Sequence, residues 1–132
     1  MRVILRPTVP ADLSAVIGET LPYRIKTLTA VLRPSPSEGE GETILGVGGL
    51  AFPPGGPVWA FVQQAQQAKK YPVAFHRAGL MAMRMIRQMG IREVVATCDE
   101  DNPAAVRWLK RLGFHPGEIQ KIPGKIVWFF HL

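Results

Sequence analysis

Few side chains in this sequence can move a proton or form a bond, and they are scattered. Cys98 is the single thiol, His76 and His115 are candidate imidazole bases, and Asp99-Glu100-Asp101 is a run of carboxylates. A thiolate can act as a nucleophile, and an imidazole or carboxylate can take a proton from an amine. Each of these residues also has a plain structural reading. Cys98 closes the strand-like run Glu93-Val94-Val95-Ala96-Thr97-Cys98, where a small buried side chain is the ordinary expectation. The acidic run after it reads as a solvated turn, and the two histidines as a helix-surface and a post-strand residue. No catalytic residue is assigned on these grounds. One cysteine excludes an internal disulfide and offers no metal cluster, so a reducing compartment and no metal site are expected.

The elements that position these groups are easier to read. From Asn102 to Phe114 the sequence runs Asn-Pro-Ala-Ala-Val-Arg-Trp-Leu-Lys-Arg-Leu-Gly-Phe. Asn102 suits a helix cap, and Pro103 the first helical position, where a missing N–H loses no bond. Ala105, Trp108, Leu109 and Leu112 recur at helical spacing, and Gly113 ends the helix. Trp108 reads as a core anchor. Upstream, a long helix is expected from Pro72 to Met89, with an apolar stripe of Val73, Leu80, Met83 and Ile86-Met89, closed by Gly90. Strands are expected over Arg2–Pro7, Ile25–Leu32, Thr43–Phe52, Val58–Val62, Ile91–Cys98 and Lys125–Leu132. The run Val-Trp-Ala-Phe-Val at 58–62 reads as buried on both faces. A first helix should begin near Asp12 and end before Pro22, and Pro34 to Glu42 should form an exposed hairpin loop. Gln63 to Lys70 is open between loop and helical turn.

The 132 residues suit a single domain spanning 1–132, and a composition of 47% hydrophobic and 20% charged residues marks a globular chain. No apolar run approaches the ~20 residues that cross a bilayer, and Met1 to Pro10 lacks a signal-peptide core. No membrane partner is expected, and the localisation expected is cytoplasmic. The net charge of +6 favours an anionic partner such as a nucleotide or a phosphate-bearing cofactor. Nucleic acid fits poorly, because the basic residues are scattered, with only Lys69-Lys70 and Lys110-Arg111 adjacent.

The strand, acidic turn, Asn-x-x-Ala helix and Gly-Phe, in this order of elements, resemble the C-terminal half of the Gcn5-related N-acetyltransferase (GNAT) fold. The resemblance extends over nearly the whole chain. It implies an α/β (α+β) domain with a mixed central sheet of about six to seven strands flanked by three to four helices, and splayed parallel strands at a cofactor cleft. It further implies an acyl-CoA-dependent N-acetyltransferase, with acetyl-CoA as cofactor and an amine or protein acceptor that the sequence does not identify. By the same resemblance, the cofactor-binding positions fall on Val62 and Gln63 at the end of the central strand, on Lys70, Tyr71, Pro72, Val73 and Ala74 at the helix start, and on Asn102.

Two departures from the family pattern stand out. The Arg/Gln-x-x-Gly-x-Gly/Ala loop that cradles the pyrophosphate falls on Lys69 to Phe75, and neither glycine is there. The N–H groups of Val73 and Ala74 remain as helix-start donors, with Lys69 or Lys70 to add charge. The family's proton-donating tyrosine falls on Leu109, which carries no proton. A narrower resemblance lies in the Arg-Pro-Thr start, the Trp-x-Phe-Val strand and Arg-Trp-Leu-Lys before Gly113. These are similar to a short internal virion protein of podoviruses, itself a divergent GNAT fold. That likeness implies the alternative of a non-catalytic phage, prophage or protein-binding component, with virion or host proteins as partners and the virion as its location.

Overall fold

A computed structural model describes residues 2–9, 11–12, 24–34, 41–117 and 123–131. Strand β1 spans Arg2–Pro7, β2 Arg24–Arg33, β3 Thr43–Phe52 and β4 Val58–Gln64. A 3-10 helix at Gln66–Lys70 leads into α1, Pro72–Gln88. Then follow β5 at Glu93–Asp99, α2 at Pro103–Leu112, the short β6 at His115–Pro116 and β7 at Lys125–His131. The seven strands form one sheet in the order β1-β2-β3-β4-β5-β7-β6. Every neighbouring pair is antiparallel except β4 and β5. The expected mixed sheet is therefore present, with two α-helices and a 3-10 helix among the described residues. The helix expected between Asp12 and Pro22 lies outside them beyond Asp12, as do positions 35–40 of the expected hairpin loop.

Both α-helices pack on one face. In β5, Val94, Ala96 and Cys98 alternate toward the helices and join Leu109, Leu112, Phe114, Ile86 and Trp128 in the larger apolar core. Their cross-strand partners on β7 are Phe130, Trp128 and Ile126. A second core, of Ala30, Leu32, Leu45, Ala68 and Ala78, lies under the first half of α1. Burying each of the larger side chains contributes about 1.5–3 kcal/mol relative to exposure.

A β-bulge decides which residues of β3 face α1. Ala30 pairs with Gly46 but Val31 pairs with Ile44, so Leu45 is the extra residue. Leu45 is fully buried in the core beneath α1, and after it Gly46, Gly48 and Leu50 continue on that side. The carbonyl of Leu45 accepts the Ala65 N–H at 2.9 Å, and the carbonyl of Ile44 accepts Gln67 Nε2 at 2.9 Å. These bonds fasten the 3-10 helix to β3 and so fix where α1 begins.

The other face of the sheet carries a polar network. Arg6 and Thr29 sit directly opposite each other on β1 and β2. Arg6 donates Nη1 and Nη2 to the two carboxylate oxygens of the buried Asp12 at 2.7 and 2.8 Å. The Thr29 hydroxyl and the Val9 N–H also donate to Asp12, each at 2.8 Å. Arg6 reaches Glu42 at 2.7 Å, and Glu42 accepts from Arg33 at 3.3 Å. The hydrogen bonds from Arg6 hold the Asp12 carboxyl well below the usual carboxylate range and, with Arg33, lower that of Glu42.

Two readings of side-chain burial are corrected. Val58–Phe61 are only half-buried and Val62 is 45% exposed, because the neighbouring strand diverges and leaves this part of β4 beside open space. On α1, Val73 and Leu80 point to solvent. Met89 of the expected stripe is exposed as well, whereas Met83 and Ile86 pack inward as expected, joined by Phe75 and Ala78.

Candidate functional site

The β4–β5 ladder has only two residue pairs, Val58 with Val94 and Trp59 with Val95. Beyond them β4 stays on β3 as far as Gly46–Gln64, while β5 stays on β7 as far as Asp99–Lys125. Each strand is held on its outer side, so the two part. The backbone edges of 60–64 and 96–99 that face each other have no ladder partner across the gap. Over and between them lies a cleft of about 890 Å³.

The helices wall this cleft with apolar groups: Phe75, Gly79 and Met83 from α1, and Trp108, Leu109 and Leu112 from α2. Gly79 is what lets α2 approach. A Cβ there would lie 2.8 Å from Trp108 Cζ2 and 3.1 Å from Leu112 Cδ2, inside normal contact. Trp108 also packs on Phe75, with ring centroids 5.0 Å apart. Its indole Nε1 is buried and has no hydrogen-bond partner. An orphaned buried donor costs about 1–3 kcal/mol. Trp128 differs: its Nε1 donates to Cys98 Sγ at 3.2 Å, which fits the reading of Cys98 as a buried strand residue.

Polar groups collect at the mouth. Gln63, Gln64, Asn102 and the ion pair of Asp99 with Lys125 line it. The hydrogen bond to Asp99 raises the pKa of Lys125. Asn102 caps α2 as expected, its side-chain oxygen accepting the Ala105 N–H at 3.1 Å, and Gly113 closes the helix at φ +104°. Neither His76 nor His115 lines the cleft, and Leu109 is buried at its wall. Among the described residues no cluster of His, Cys, Asp and Glu could hold a metal, and no helix is long and apolar enough to cross a membrane.

The positions read from the sequence as cofactor contacts divide between two places. Val62, Gln63 and Asn102 line the large cleft. Lys70, Tyr71, Pro72, Val73 and Ala74 line a separate hollow of about 360 Å³, with Val3, Leu32 and Arg77. The 3-10 helix separates the groups by turning the chain toward β1 and β2 before α1 starts. Tyr71 occupies the cap position of α1 without a side-chain cap bond, and Val73 is 72% exposed, so the helix start is open to solvent. Met83 was read only as part of the apolar stripe, and Phe75 and Gly79 were not read as part of a cleft wall. The signal for them was Gly79, a glycine in a helix interior, which costs about 1 kcal/mol unless close packing requires it.

No protein-family model matches this chain, and no curated protein matches it in sequence. Solved structures do match. A domain from Methanocaldococcus jannaschii superposes with a TM-score of 0.77 at 10% identity, covering 99% of both chains. An acetyltransferase from Agrobacterium tumefaciens gives 0.72 at 16% identity, over 99% of this chain and 91% of its own. A Bacillus subtilis acetyltransferase in complex with CoA gives 0.67 at 12% identity, over 99% and 98%. The shared architecture is the Gcn5-related N-acetyltransferase fold, of which this chain is a divergent example.

Proposed function

We propose that this chain, a divergent GNAT fold, binds an acyl-CoA in the β4–β5 cleft and passes the acyl group to an amine. The observation that carries the reading is the end of the β4–β5 ladder at Trp59 and Val95. Past that point two strand edges offer backbone N–H and C=O groups inside an apolar cleft, where such groups need partners. The pantetheine arm of CoA brings two amides that can pair with them. The residues present therefore fit the group.

In this reading Val62, Gln63 and Asn102 flank the arm, and Lys70, Tyr71, Pro72, Val73 and Ala74 meet the phosphates at the positive start of α1. Arg77 beside them adds a cation the sequence reading did not include. When bound, the thioester supplies an activated acyl group. The chain's own contribution is placement: an apolar wall from Phe75, Trp108 and Leu109 excludes water, and orientation alone can supply about 7–11 kcal/mol in favourable systems. The transfer breaks the thioester C–S bond as the amide bond forms, and the proton that the amine gives up ends on the departing CoA thiolate by way of water.

Calorimetric titration with CoA and acetyl-CoA tests the reading. Micromolar binding is expected, and no binding at millimolar ligand overturns it. A second reading, a protein-binding component without turnover, is favoured by one observation: a buried leucine, Leu109, where the resemblance calls for a proton donor. CoA binding with no transfer to any of a panel of amines selects it.

A further inference from the structure

The cleft is wider than an acetyl group needs. Its lining does not stop at β4 but continues under α1 to Gly48 on β3 and Leu28 on β2. β2 lies two strands beyond β4, about 10 Å away at the usual strand spacing. Leu28, Gly48 and Val62 form one cross-strand row on the face that α1 covers. The helix opposes this part of the sheet with Ala78 and Ala82. Small residues on both sides leave the gap.

Gly48 shows that the backbone does not demand this gap. A Cβ on Gly46 would lie 2.6 Å from the Gln63 carbonyl oxygen, and one on Gly49 would lie 2.4 Å from that of Lys26. Those two glycines are required by close approach of neighbouring strands. A Cβ on Gly48 would meet nothing nearer than 3.4 Å, an ordinary contact, and its φ is not positive. A valine there would suit the strand and fill the space. Protein interiors close-pack, and an unfilled apolar gap forfeits dispersion contacts. An apolar space continuous with the cleft between β4 and β5 suits a hydrocarbon tail.

We infer that the space over Gly48 is an acyl-chain site, and that the thioester this chain takes carries a saturated chain of several methylenes in preference to acetyl. The inference rests on the acyl-CoA reading above and names the donor class for it. The chain runs from the cleft between β4 and β5 into the gap under α1, with its methylenes against Leu28, Val62 and Ala82.

The test is calorimetric titration with CoA, acetyl-CoA, butyryl-CoA, hexanoyl-CoA and octanoyl-CoA. Affinity is expected to rise about fourfold for each added methylene that is buried, until the gap is filled. Equal affinity for CoA and all the thioesters overturns the chain site while leaving the cofactor reading standing. Absence of binding to every member, CoA included, overturns both. Two variants then locate the site: Gly48→Val fills the gap from the sheet, and Ala82→Leu fills it from the helix. In either folded variant the ratio of octanoyl-CoA to acetyl-CoA affinity should fall toward one. A ratio unchanged in both variants places the chain elsewhere and overturns the assignment.

Discussion

The two faces of the sheet treat polar atoms in opposite ways. On the β1–β2 face, Asp12 accepts from Arg6, Thr29 and the Val9 N–H, and Arg6 is further paired with Glu42. On the α1–α2 face, two strand edges lose their ladder after Trp59 and Val95, and the Trp108 N–H has no acceptor. The first arrangement is closed: each buried donor meets an acceptor already in the chain, and nothing from outside is needed. The second is open, and an open arrangement of buried donors costs free energy unless a ligand completes it. The difference separates a polar cluster closed on itself from strand edges left open more sharply than residue type does, since the closed cluster holds far more charge.

The comparison predicts opposite responses to mutation. The largest effect should come from Asp12→Ala, which leaves Arg6, Thr29 and the Val9 N–H without their shared acceptor. A loss of about 3–5 kcal/mol in urea unfolding is expected, the range for breaking a buried ion pair from one side. A loss under about 1 kcal/mol would show that the network is not closed after all.

Next in size is the response to acid. Arg6 hydrogen bonds hold the folded Asp12 carboxyl below its ordinary pKa, so the unfolded chain takes up that proton first as the pH falls. The stabilisation is present above the ordinary aspartate value near pH 3.9 and is lost progressively as the pH falls through that value toward the lowered pKa of the folded state. Glu42, shifted in the same direction, adds to the same limb. Unfolding free energy measured against pH should fall in this window for the parent and more shallowly for Asp12→Asn. Parallel curves would assign the acid limb to other carboxylates.

The smallest effect on stability belongs to the open face. Trp108→Phe removes an unpartnered donor along with some packing against Phe75, two changes that offset each other. Stability should stay within about 1 kcal/mol of the parent, and affinity for CoA thioesters should be unchanged, because the N–H is sealed from the cleft. A fall of about fivefold, the worth of one hydrogen bond, would show that the wall opens to let a ligand atom reach it.

How much of this was legible in the sequence depends on how local each feature is. The cap at Asn102, the proline after it and Gly113 act within a few residues, and α2 came out as read. The bounds of β3 were read correctly despite its glycines, because flanking polar and proline residues delimit it. The burial of β4 was misread, since Val-Trp-Ala-Phe-Val carries no mark of a neighbour that departs after two residues. The 3-10 helix was not legible either. Gln-Gln-Ala-Lys-Lys suits a loop or a helical turn equally, and that short element decides which hollow Lys70 to Ala74 face. The small face of α1 was missed because sequence patterns count apolar bulk, whereas this cleft is made by its absence at Ala78 and Ala82 on the helix and Gly48 on the sheet.

The extra residue at Leu45 has a meaning for how such a fold can change over generations. The bulge takes up one residue of β3 without moving its neighbours, since Ile44 stays opposite Val31 and Gly46 opposite Ala30. Loss of the Leu45 codon would therefore close the bulge and leave Gly46, Gly48 and Leu50 on the side of α1, taking one side chain from the core under the helix and none from the cleft. A lineage carrying this fold can thus change the packing beneath α1 by the count of residues in one strand, and the cleft separately by the size of the side chain at Gly48.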